Sequence, residues 1–219
     1  MKREIRSYVL RQGRTTSAQK LSLEKLFPVF GIAFSDKPLN APEIFARAAP
    51  LVLEIGSGMG ETTAEIAQQN PGLDFIAVEV HGPGVGSLLK KIEALELKNL
   101  RIIRHDAVEV LERMIPDTSL AGIHLFFPDP WPKKRHHKRR LVQPEFAALA
   151  ARKLAPGGYI HAATDWPDYA VQMDEVFSSS SLFEKKSQDK KSRPTTKFER
   201  RGIGLGHAVR DLLFVRRQE

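Results

Sequence analysis

A chain of 219 residues, 42% hydrophobic and 27% charged, has the size and composition of one generous globular domain with short appendages. It contains no cysteine, which excludes disulfides, thiolate nucleophiles and Cys-ligated zinc or iron-sulfur centres. Lys and Arg number 34 against 26 Asp and Glu, and the net charge of +8 makes a polyanion the expected partner.

No run of the sequence approaches the roughly 18 apolar residues of a membrane span, and the charged start Met1-Lys2-Arg3-Glu4-Ile5-Arg6 is not followed by an apolar leader core. A cytoplasmic protein without a membrane partner is therefore expected. Residues 1–30 read as a flexible basic arm carrying Lys2, Arg3, Arg6, Arg11 and Arg14, and residues 31–219 as the folded domain. Within the arm's end, the apolar stretch 26–32 is broken by Pro28 and Gly31; it is expected to pack on the core without forming a regular element. Asn40-Ala41-Pro42-Glu43 offers a cap, an early proline and a first-turn acid, and predicts a short helix to about residue 48.

From position 51 strands and helices alternate. Short apolar runs predict strands at 51–55, 75–80, 100–104, 122–127, 159–163, 182–186 and 211–217. Helical spacing of apolar residues predicts helices at 61–69, 85–97, 108–114, 143–154 and 169–177. The implied fold class is α/β: a doubly wound, seven-stranded, mostly parallel sheet with helices on both faces.

In such sheets a ligand sits beyond the carboxyl ends of the strands, where strand order reverses. The first strand runs into Gly56-Ser57-Gly58-Met59-Gly60, whose glycines Gly56, Gly58 and Gly60 let a ligand lie against the backbone. Position 61 is Glu where a dinucleotide fingerprint has its third glycine, and an acid at that helix start disfavours a pyrophosphate. Glu79, about 20 residues further on, is placed to accept both hydroxyls of a ribose. Asp106, just past the third strand, is placed to accept from an adenine amino group. Glu54 is an acid inside an apolar strand; it wants a donor, and a ligand ammonium is one candidate. An adenosine with an amino-acid tail and no pyrophosphate is S-adenosylmethionine, and the constellation resembles the class I methyltransferase fold, a Rossmann-like architecture.

The fourth strand leads into Pro128-Asp129-Pro130-Trp131-Pro132, a loop stiffened by three prolines that presents Asp129 and Trp131 as a holder for a flat polar base. It continues into Lys133-Lys134-Arg135-His136-His137-Lys138-Arg139-Arg140, basic at every position. Six of these residues are Lys or Arg, so the chain without this octet carries only +2.

The run from Pro128 to Leu141 resembles the signature of the bacterial tRNA (guanine-N7)-methyltransferase family. Thr164-Asp165-Trp166 after the fifth strand and Arg193-Pro194-Thr195-Thr196-Lys197-Phe198-Glu199-Arg200-Arg201-Gly202, followed by Leu205 to Leu212, support the resemblance. It implies methyl transfer from S-adenosylmethionine to N7 of guanine 46 in the tRNA variable loop, leaving S-adenosylhomocysteine. It also implies that Glu54, Glu79, Asp106 and Asp129 line the cofactor site, with Asp129 catalytic. Lys133, Asp165, Thr196, Lys197, Phe198 and Glu199 would bind the substrate, and Arg135, His136, His137, Lys138, Arg139 and Arg140 would contact RNA. The RNA-binding segments are then 133–140 and 190–206. No metal is implied, and the chain is expected to act as a monomer or homodimer. Two other readings remain open at this point: a nicotinamide-dependent oxidoreductase, and an RNA-binding module without catalysis.

Overall fold

The structure is a computed structural model, and it describes residues 6–8, 15–187, 193–196, 199 and 208–218. Its strands are β1 (Gly31–Ile32), β2 (Leu51–Ile55), β3 (Asp74–Val78), β4 (Leu100–Ile103), β5 (Leu120–Phe126), β6 (Leu154–Thr164), β7 (Phe183–Lys186) and β8 (Arg210–Arg216). They form one sheet in the order β1-β4-β3-β2-β5-β6-β8-β7. All neighbours are parallel except the pairs that β8 makes with β6 and β7. The seven strands expected from the sequence are all present, and the two-residue β1 adds an edge beside β4.

The helices are α1 (Ser17–Phe30), α2 (Ala41–Phe45), α3 (Glu61–Gln69), α4 (Gly82–Ala94), α5 (Ala107–Arg113), α6 (Pro144–Lys153) and α7 (Pro167–Ser178), with a 3-10 turn at Lys134–Arg139. Alternation along the strands splits the core into two layers. Leu51, Leu53 and Ile55 pack with residues of α5, α6 and α7, whereas Val52 packs with Ala64, Ile66 and Ala67 of α3 and Val85, Leu88, Leu89 and Ile92 of α4. The chain leaves β2 toward β3 and β4 on one side, then crosses back to β5 and β6 on the other. That reversal opens a crevice at the carboxyl ends of β2 and β5.

One expectation is corrected: residues 17–30 are helical rather than irregular. Thr16 caps α1 by accepting from the Gln19 N–H at 3.2 Å while Gln19 Oε1 accepts from the Thr16 N–H at 2.9 Å, a reciprocal capping box. Leu23, Leu26, Phe27 and Phe30 then lie on the core layer formed with α4. Burial of that face outweighs the hydrogen bond lost at Pro28, which falls in the helix's second half.

Candidate active site

The carboxyl ends of β2, β3, β4 and β5 open into a cleft of about 860 Å³ whose walls include Glu54, Gly56, Gly58, Glu79, Asp106, Asp129 and Thr196. Six of the seven residues expected to hold the cofactor therefore meet in one place. Gly60, the seventh, lies behind the wall: it starts α3 with φ +78°, and a Cβ there would stand 2.6 Å from the Leu88 side chain. Gly56 and Gly58 also have positive φ, but a Cβ on either would meet open space. The same glycine turn thus serves packing at one position and leaves room for a ligand at the other two.

Glu54, the last residue but one of β2, is buried, with Oε1 accepting from Thr63 Oγ1 at 2.7 Å and Oε2 without a partner among the described residues. Burial, only partly offset by the Thr63 hydrogen bond, pushes its carboxyl up to about 7. Glu79 is also raised by burial, against backbone donors that include His81 N–H to Oε1 at 2.7 Å and Gly58 N–H to Oε2 at 2.8 Å. Each oxygen retains a lone pair for a ligand hydroxyl. Gly84 permits this closeness, since a Cβ there would lie 2.3 Å from the Gly58 carbonyl oxygen. Asp106 caps α5 through Oδ1, accepting from Val108 N–H at 2.8 Å and Glu109 N–H at 3.3 Å.

Beyond β5 the backbone takes positive φ at two non-glycine residues, Phe127 (53°) and Trp131 (44°), on either side of Asp129. Asp129 is exposed at the cleft mouth. Trp131 does not offer the open aromatic wall that the sequence suggests. Arg139 lies over its ring at 3.8 Å, and its Nε1 donates to the Ser7 carbonyl at 2.9 Å. Arg139 also donates to the carbonyls of Arg6 at 3.1 Å and Tyr8 at 3.4 Å. Ser7 and Tyr8 thereby reach the cleft, a contribution the sequence did not single out. Burial and the charge of Asp106 both raise the pKa of the Tyr8 hydroxyl.

The basic octet divides. Lys133, Lys134, Arg135 and Lys138 are exposed, and His136, His137 and Arg139 are half-buried. Arg140 alone of the octet is buried, with Nε, Nη1 and Nη2 each donating to a protein acceptor. Among the proposed substrate residues, Thr196 lines the cleft, whereas Lys133, Asp165 and Glu199 are not on its wall. Lys197 and Phe198 lie outside the described residues. Thr196 Oγ1 accepts from the Glu199 N–H at 2.9 Å, and the Glu199 carboxylate pairs with Arg193 Nη1 at 2.6 Å. Arg193 is itself buried, clamped on Asp211 of β8, which also bonds His161 of β6 at 2.9 Å. This buried cluster was invisible in sequence because its members lie 18 and 50 residues apart.

A crevice at the switch point of this sheet, with acids at successive strand ends around a glycine cradle, defines a class I methyltransferase. Residues 48–212 match a family described as "Putative methyltransferase". Curated proteins named tRNA (guanine-N(7)-)-methyltransferase from Nitrosomonas europaea and Nitrosospira multiformis are each 56% identical to the chain. The first aligns over 97% of this chain and 96% of its own length, the second over 99% and 96%. The chain belongs to the tRNA (guanine-N7)-methyltransferase family. In fold it is similar to the 16S rRNA methyltransferase KamB, at a TM-score of 0.60 and 17% identity over 83% of this chain and 95% of that one.

Proposed function

We propose that this chain transfers the methyl group of S-adenosylmethionine to N7 of guanine 46 in the variable loop of tRNA. Family membership supports guanine N7 of tRNA as the acceptor, and the motif resemblance supports position 46. The observation that carries the cofactor reading is the charge of the cleft. Five carboxylates line it, Glu54, Glu61, Glu79, Asp106 and Asp129, and no Lys or Arg does among the described residues. Such a wall repels a pyrophosphate and suits a ligand bearing an ammonium and a sulfonium. S-adenosylmethionine supplies an electrophilic methyl group when bound there. Glu54 would take the ammonium on its unpartnered oxygen, Glu79 the ribose hydroxyls and Asp106 the adenine amino group, with the tail lying over Gly56 and Gly58.

Guanine N7 has an in-plane lone pair and no proton to lose, so neither a general base nor a metal-activated water is needed to create the nucleophile. Positioning and electrostatics supply the rate. Methylation makes the base cationic, and the Asp129 carboxylate at the cleft mouth is better matched to that developing charge than to the neutral base. Thr196, Lys197, Phe198, Glu199, Lys133 and Asp165 would bind the guanine or its nucleotide, with Arg193 holding Glu199 in place. Segments 133–140 and 190–206 would carry the RNA phosphates. The enzyme would act as a monomer or homodimer in the cytoplasm.

Incubation with unmodified tRNA and labelled cofactor, followed by nucleoside analysis, should yield 7-methylguanosine, and a tRNA with adenine at position 46 should take up none. Undiminished incorporation into that tRNA would move the target elsewhere, and a product other than 7-methylguanosine would overturn the assignment of N7.

A further inference from the structure

Arg140 closes the basic octet, yet its side chain is only 1% exposed. Its Nε donates to the Pro130 carbonyl at 2.8 Å, Nη1 to Gln172 Oε1 at 2.7 Å and Nη2 to Asp168 Oδ2 at 2.7 Å. The guanidinium also lies 4.8 Å from the centre of the Tyr169 ring. Asp168, Tyr169 and Gln172 all belong to α7. Two of them grip the far side of the same loop: Tyr169 Oη accepts from the Val142 N–H at 3.1 Å, and Gln172 Nε2 donates to the Val142 carbonyl at 3.0 Å.

Pro130 stands between Asp129 and Trp131, and Trp131 has the positive φ described above. A non-glycine residue keeps such a backbone only where its surroundings hold it. The Phe127 end is held by its N–H on the Ala163 carbonyl at 2.7 Å. At the other end, the peptide joining Pro130 to Trp131 is held through its oxygen by Arg140. We infer that Arg140 is a positioning residue for methyl transfer, fastening the Asp129-Pro130-Trp131 turn to α7, and makes no contact with RNA phosphate. The inference rests on the reading of Asp129 as catalytic. A lysine keeps the charge but cannot reproduce a rigid fork reaching three acceptors. Misplacing a reacting group by about 1 Å costs on the order of a hundredfold in rate.

The test uses the full-length enzyme and measures kcat, KM for tRNA, cofactor affinity and the slope of log tRNA affinity against log salt. Arg140→Lys should lower kcat roughly ten- to a hundredfold with cofactor affinity kept, whereas a phosphate contact would survive in that variant. Arg140→Gln should leave the salt slope unchanged; a lost phosphate contact would reduce it by about 0.7 to 0.9. Asp168→Asn, on the exposed side of the pair, should lower kcat severalfold with KM unmoved. Removing that negative charge near a phosphate site would instead leave turnover intact and tighten tRNA binding. If neither Arg140 variant folds, Asp168→Asn decides alone. Normal kcat in Arg140→Lys or Asp168→Asn, or a reduced slope in Arg140→Gln, overturns the role of Arg140. Asp129→Asn is measured in parallel: a wild-type kcat there overturns the catalytic reading of the loop itself, whereas an impaired Asp129→Asn beside a normal Arg140→Lys overturns only the positioning role.

Discussion

Glu54 lines the cleft with one oxygen on Thr63 and the other unmatched among the described residues, and burial holds its carboxyl at about 7 rather than the ordinary 4.5. A raised carboxyl favours the folded state while it is protonated. Its contribution is full below about pH 4.5 and is lost as pH rises through about 7, roughly 3 kcal/mol between the limits. In the ligand-free protein Glu54→Gln should remove that part of the pH dependence of unfolding. A cationic ligand requires the ionised form, so S-adenosylmethionine affinity should strengthen as pH rises toward about 7, by up to tenfold per unit, and then level off. Calorimetric titration between roughly pH 5.5 and 7.5 checks this; an affinity independent of pH would place the ammonium elsewhere. Glu79 lines the same cleft and is bonded to Gly58 and His81. Glu79→Ala should weaken the cofactor roughly ten- to a hundredfold, the cost of a charged acceptor, and leave tRNA affinity unchanged. Equal cofactor affinity in the folded variant would show that the ribose lies away from Glu79.

The glycine turn between β2 and α3 combines, within five residues, one position packed against Leu88 and two that face open space. Gly60→Ala brings a Cβ to 2.6 Å from Leu88 at a positive φ, so it should destabilise the fold by about 2 to 4 kcal/mol in denaturant titration. Gly56→Ala meets no protein atom and should cost the fold only about 1 to 2 kcal/mol of backbone strain. It should nevertheless abolish most cofactor binding, because its methyl would occupy the cradle. Comparable stability losses with cofactor binding intact in both would mean that the turn is purely structural. The strands and their terminal acids were legible in sequence because apolar runs and Gly or Pro breaks are local signals, and strand ends point one way in a parallel sheet. Helix α1 is less legible: Pro28 and Gly31 punctuate its end, whereas the Thr16–Gln19 capping box and the packed Leu23, Leu26, Phe27 and Phe30 face become evident in the fold. The anchoring of Arg193 on Asp211 and of Arg140 on α7 had no local signal at all, since a basic residue reads alike in solvent or in a buried clamp.

Around the site charge is divided by sign: acids line the cleft, and exposed cations stand on the segment that leaves its mouth. A cationic cofactor and an anionic RNA can therefore be bound side by side without one field opposing the other. Removing Arg140 from the count leaves Lys133, Lys134, Arg135 and Lys138 as the exposed cations of the octet, since the donors of Arg139 turn inward to the carbonyls of Arg6 and Tyr8. If all four contact phosphates, neutralising them together should lower the magnitude of the salt slope for tRNA binding by about 3. Affinity at low salt should fall with it, and cofactor affinity should not move, because none of the four lines the cleft. A smaller drop counts the phosphates actually engaged. An unaltered slope would transfer the RNA to the basic arm carrying Lys2, Arg3, Arg6, Arg11 and Arg14 or to the basic stretch between Lys185 and Arg201.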